Sequence, residues 1–120
     1  MKLEEFKAAY ERCKEDLDKK QLIDRTNDAI RFINESLEPG DASLDIVREE
    51  LAECIQAVSK MIRFGEEDDW WHLLEEVADV SMALDVIMEV FHIQKSEFNN
   101  AKMVKLDRMV KKIKENGGIK

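Results

Sequence analysis

Residues 49–57 read E-E-L-A-E-C-I-Q-A and residues 75–83 read E-E-V-A-D-V-S-M-A. Each run has two adjacent glutamates, an acid three residues after the second, and an alanine four further on. At helical spacing Glu50 and Glu53 fall about 60° apart on one helix, and Glu76 and Asp79 do the same on another. Four converging carboxylates repel one another and hold each other's protons. A hard divalent cation removes that repulsion. Magnesium and manganese take oxygen ligands, and magnesium shares its shell with water and phosphates. The plainer alternative makes Glu49, Glu50, Glu75 and Glu76 solvated helix-surface acids, which a chain with 38% charged residues can spare. The doubling of the pattern, with matched apolar flanks, favours the metal.

The elements that must position these acids follow from apolar periodicity. Leu44, Val47, Leu51, Ile55, Val58 and Ile62 form one stripe, with Glu50 and Glu53 on its flank. Leu73, Val77, Val80, Leu84, Ile87 and Phe91 form another, flanked by Glu76 and Asp79. Ala57 and Ala83 would let two backbones approach at the level of the acids. Five helical segments are expected: 3–20, 22–37 (one continuous helix over both being the alternative), Asp41 or Ser43 to Phe64, Asp68 or Asp69 to Gln94, and Ser96 to about Asn116. Glu38-Pro39-Gly40 is the clearest break, and Gly65 ends the third segment. Short loops make neighbours antiparallel, so the third and fourth segments form a hairpin. The two acidic clusters stand about equally far from its turn and come level when it closes.

Length and composition set the frame. At 120 residues, with one proline, four glycines and no β-branched alternation, the chain reads as one all-α domain, a bundle of four to five helices. Residues 1–37 supply N-terminal partner helices, 41–94 the metal-binding hairpin and 96–116 a basic C-terminal helix. No apolar run approaches membrane-spanning length, and the start M-K-L-E-E-F-K is too acidic for a signal peptide. Cys13 and Cys54 have no pairing or zinc spacing and read as reduced thiols of a cytoplasmic protein. Residues 1–98 carry 12 basic against 25 acidic residues, and residues 99–120 carry 7 against 2. The acidic body argues against nucleic-acid binding. The basic end could supply cations to a polyphosphate.

Glu49-Glu50-x-x-Glu53, a gap of 22 residues and Glu76-x-x-Asp79 resemble the signature of the MazG-like, all-α nucleoside triphosphate pyrophosphohydrolases. Lys102, Lys105 and Arg108 are similar to the basic tail helix of that family. The likeness covers about residues 41–112. Ser43-Leu44-Asp45 stands where related enzymes often carry a glutamine–leucine pair.

The resemblance implies hydrolysis between the α and β phosphates of a nucleoside triphosphate, giving a monophosphate and pyrophosphate, in clearance of noncanonical or surplus nucleotides. It implies Mg²⁺, or Mn²⁺ in its place, held by Glu50, Glu53, Glu76 and Asp79. Glu53 is then the expected general base, with Glu50 beside it. Lys105 and Arg108 would bind phosphate oxygens, with Lys60 a weaker third. A dimeric dUTPase-like or phosphoribosyl-ATP pyrophosphohydrolase activity is the alternative within the class. A noncatalytic helical interaction module is the alternative outside it.

Trp71 could stack on a base, whereas Trp70 falls on the apolar stripe and is expected in the core. Glu89-x-x-His92 has the spacing of a di-iron ligand pair, but its only companion, Asp69-x-x-His72, lies on the same helix. The methionines, Met82 and Met88 among them, are expected to fill core gaps. A second apolar line, Val86 with Val90 and Ile46 with Met61, needs a partner. A homodimer or homotetramer is therefore expected, as in relatives.

Overall fold

A computed structural model describes residues 2–14, 19–36 and 41–117. It is all-α, with five helices and no strand among the described residues: α1 (Leu3–Lys14), α2 (Lys19–Ser36), α3 (Asp41–Arg63), α4 (Glu67–Val90) and α5 (Lys95–Glu115). The chain divides into two compact units, Met1–Val90 and Phe91–Lys120. The junction of α1 with α2, the Glu38-Pro39-Gly40 break and the side chains of Asp41 and Ser43 lie outside the described residues.

In the first unit α3 and α4 pack along their length, and α1 and α2 each lean on α4. Gly65 makes the reversal with φ +62°, a left-handed value that costs a residue without Cβ nothing. A Cβ there would also sit 3.4 Å from the Met61 carbonyl oxygen. The α4 N-terminus is closed by Asp69, whose Oδ2 accepts from the Glu66 N–H at 3.1 Å. Asp69 therefore reaches back over the first turn from inside the helix, which starts at Glu67.

The hairpin closes on a narrow line. Val47 packs with Ala83 and Val86, and Ile87 and Val90 cover that cluster. Ala57 is buried as well. The line along α3 runs Val47, Glu50, Cys54, Ala57 and Met61, at alternating steps of three and four residues, all buried or half-buried. This is the seam spacing of paired helices. Much of the stripe of large residues expected in the core is turned outward instead, although Val47 is buried and Leu44, Leu73, Val80 and Ile87 are half-buried. Leu51, Ile55, Val58 and Ile62 on α3 and Val77 and Leu84 on α4 are all exposed, Ile62 at 81%.

Small side chains explain the choice. Two helices approach most closely where alanines and valines face each other, and the wide stripe cannot enter that gap. Val86 and Val90 find contacts inside the hairpin, whereas Ile46, on the same expected second line, is exposed. Met82, expected to fill the core, is 49% exposed.

The aromatic expectations also exchange places. Trp70 is 45% exposed, not buried. Trp71 instead anchors α1 to α4: its ring lies edge-on to Tyr10 at 5.2 Å and to Phe6 at 6.4 Å, centroid to centroid. Lys7 Nζ adds a 2.9 Å ion pair with Asp68 Oδ1 beside that cluster.

α4 stops at Val90, four residues before the expected Gln94. His92 takes φ 55°, which breaks the helical path. In the second unit, the Gln94 N–H donates to Glu97 Oε1 at 2.9 Å, so α5 begins at Lys95 rather than Ser96. Its residues are exposed along nearly the whole length.

Candidate metal centre

Glu50 and Glu76 lie inside the hairpin seam, with Asp79 half-buried and Glu53 exposed at its edge, rather than all four on the flank of a buried stripe. Glu50 precedes Cys54 by four residues on the α3 line, and Glu76 precedes Ala83 by seven on α4. Antiparallel packing then sets Glu50 against Asp79 and Glu53 against Glu76, pairs whose side chains approach closely enough to share a proton. Val47 with Ala83 lies on one side of these pairs along the seam, and Ala57 on the other. The small residues hold the helices near enough for the carboxylates to meet.

Glu50, Glu53 and Glu76 each offer an oxygen, and these oxygens all lie within 4.8 Å of one another. Asp79 stands outside that trio but contributes charge to both Glu50 and Glu76. Glu76 is only 5% exposed. Its Oε2 and the Oε2 of Glu50 are buried with no hydrogen-bond partner. An ionised oxygen in that state is costly, since nothing replaces the water it has lost.

The proton affinities follow. Burial first, then the charges of Asp79, Glu53 and Glu76, push Glu50 up from 4.5 to about 7. Burial first, then Glu53, Asp79 and Glu75, push Glu76 up to about 7 as well. Hydrogen-bonding contact with the facing carboxyl adds to both shifts. Around neutral pH the ion-free cluster therefore holds protons that a cation could displace.

The donor set fits a hard divalent ion. It consists of oxygen donors only, converging from two helices, with two buried lone oxygens for which the protein supplies no hydrogen. Glu53 is the exposed member of the trio, open to solvent water.

Of the other expected site residues, Lys60 is exposed on α3, and Lys105 and Arg108 are exposed on α5. None of the three makes an ion pair among the described residues, so all remain available to an anion. Trp71 is engaged by Phe6, Tyr10 and Trp70, which makes it a packing residue first. Reasoning from sequence took His72 only as a companion of Asp69 and missed its place beside Glu75 and Glu76. His72 stands beside Glu75 and Glu76, its ring nitrogens 3.9 Å from an oxygen of each. The signal was present as H-x-x-E-E, which places three donors on one helix face.

No family model, curated protein or solved structure matches this chain.

Proposed function

We propose that the chain is a Mg²⁺-dependent nucleoside triphosphate pyrophosphohydrolase of the MazG-like kind. One observation carries the reading: three carboxylates gathered at a helix–helix seam, two of them with buried oxygens lacking any partner. A structural role for this cluster is hard to sustain, because a core of apolar residues at the same positions would hold the hairpin at lower cost.

Glu50, Glu53 and Glu76 would hold the ion, with Asp79 supporting them from α4. The bound ion supplies charge neutralisation for a triphosphate and favours ionisation of water. The residues do the rest. Glu50 and Glu76, tied into the seam, fix the position of the cluster on the two helices. Glu53, at the solvent edge, accepts the proton of the attacking water as general base. Water adds across one P–O bond of the α–β anhydride, and the products are a nucleoside monophosphate and pyrophosphate. Lys60 offers a donor to phosphate oxygens, the role that the family resemblance also gives Lys105 and Arg108. Such an enzyme would clear surplus or noncanonical nucleotides in the cytoplasm, as a homodimer or homotetramer. The dUTPase-like and phosphoribosyl-ATP activities share this chemistry and differ in the base and sugar.

The test is a panel of standard, deoxy and damaged triphosphates with Mg²⁺ or Mn²⁺, scored for pyrophosphate release. Wild type should release pyrophosphate from at least one, and Glu53→Gln should lose about 10²-fold or more in rate while staying folded. Saturating Mg²⁺ at a hundred times its Kd should stabilise the fold by about 2.7 kcal/mol. A chain that melts identically with and without either ion, and turns over nothing, is the noncatalytic helical module instead.

A further inference from the structure

Glu76 belongs to two groups of donors. Across the seam it joins Glu50 and Glu53; along its own helix it joins His72 and Glu75. In the second group, too, one donor atom from each residue lies within 4.8 Å of the others. His72 Nε2 is 3.9 Å from Glu76 Oε1, and its Nδ1 is 3.9 Å from Glu75 Oε2.

Those separations are too long for hydrogen bonds, which close to about 2.7–3.2 Å. An imidazole gives one nitrogen to a given ion, and with one donor atom from each residue inside 4.8 Å the three side chains can surround one. The other oxygen of Glu76, Oε2, is buried and has no partner, on a side chain only 7% exposed. The two oxygens of this carboxylate thus differ: Oε2 is buried without a partner, and Oε1 faces the imidazole at 3.9 Å. A carboxylate in that position can bridge two cations, which in paired sites stand about 3.5–4 Å apart.

The donor chemistry separates the two groups. Glu50, Glu53 and Glu76 offer oxygen alone, which suits magnesium. A group with an imidazole and two carboxylates suits first-row transition ions, since imidazole is a poor ligand for magnesium and a good one for iron, cobalt or zinc. We propose that His72, Glu75 and Glu76 form a second divalent-cation site, selective for a transition ion such as Mn²⁺, Fe²⁺ or Co²⁺, sharing Glu76 with the first. The inference rests on the metal reading of the seam, and adds to it an ion that magnesium does not replace.

The experiment uses the full chain and Mn²⁺ alone. Equilibrium dialysis should give two Mn²⁺ per chain, and electron spin-echo modulation should show nitrogen coupled to bound manganese. His72→Gln should remove the nitrogen coupling and weaken one of the two sites about tenfold or more, while stabilisation by Mg²⁺ persists. Glu75→Gln should weaken that same site. His92→Gln, at the other histidine, should leave the nitrogen coupling in place. One Mn²⁺ per chain without nitrogen coupling overturns this proposal and leaves the seam site standing. Nitrogen coupling lost in His92→Gln but kept in His72→Gln overturns it as well. No bound Mn²⁺ at all overturns both sites.

Discussion

Glu50 and Glu76 hold their protons up to about pH 7 because burial strips water from them and their neighbours are acids. An unfolded chain gives up the same protons near the ordinary value of 4.5. Between those values the folded state binds more protons than the unfolded one. Stability of the ion-free protein must therefore fall as pH rises through that window, and be greatest below it. Divalent ion displaces those protons, so its affinity rises over the same range. Thermal unfolding at pH 5 and pH 7.5 checks this. With chelator the melting temperature should be lower at pH 7.5. Added Mg²⁺ should recover it there and do little at pH 5. In Glu76→Gln, where the amide cannot ionise, the decline should shrink. A melting temperature in chelator that climbs with pH and ignores Glu76→Gln would contradict the assigned cause.

At the scale of the element, the hairpin depends on residues too small to attract notice. Ala57 is 1% exposed, in a seam whose neighbours are a cysteine, a methionine and the acids. A leucine there must push α3 from α4, at a cost of about 1–3 kcal/mol. The displacement should also open the carboxylate trio. Ala57→Leu is expected to lose Mg²⁺ stabilisation beyond its loss of fold stability, whereas Ile62→Leu, on the exposed stripe, should leave both unchanged. Chemical unfolding with and without Mg²⁺ distinguishes the two. Equal loss from both variants would contradict the seam assignment.

The same element shows what a sequence can tell. The acid spacing, the Gly65 reversal and the antiparallel pairing placed Glu50 and Glu53 level with Glu76 and Asp79, because helix geometry and a short loop leave little freedom. Which face closes the hairpin was not legible. Val47 belongs to both the wide stripe and the narrow seam, and hydrophobicity alone favours the wide one. Proximity of backbones decides otherwise. Trp70 and Trp71 were exchanged for a related reason: adjacent residues lie about 100° apart on a helix, and only the docking of α1 settles which one is covered.

For the whole molecule, the outward stripe is the unresolved surface. Leu51, Ile55, Val58 and Ile62 repeat at steps of four, three and four residues, the pattern of a helix that expects another helix. Trp70, Val77 and Leu84 repeat at seven on α4 and are exposed as well. Exposed apolar lines of this kind favour self-association over exposure to water. Light scattering after size exclusion should give a multiple of the 14.0 kDa chain mass. Ile55→Glu with Ile62→Glu should return it to one chain while helicity is retained. A wild-type mass of a single chain would refute the oligomer.

The central claim is that the doubled acidic turn is a metal site. Crystals grown with Mn²⁺ and measured near the manganese absorption edge test it most directly. The account predicts an anomalous peak bonded to oxygens of Glu50, Glu53 and Glu76 between α3 and α4. A well-ordered map with those side chains in place and no peak among them would contradict it.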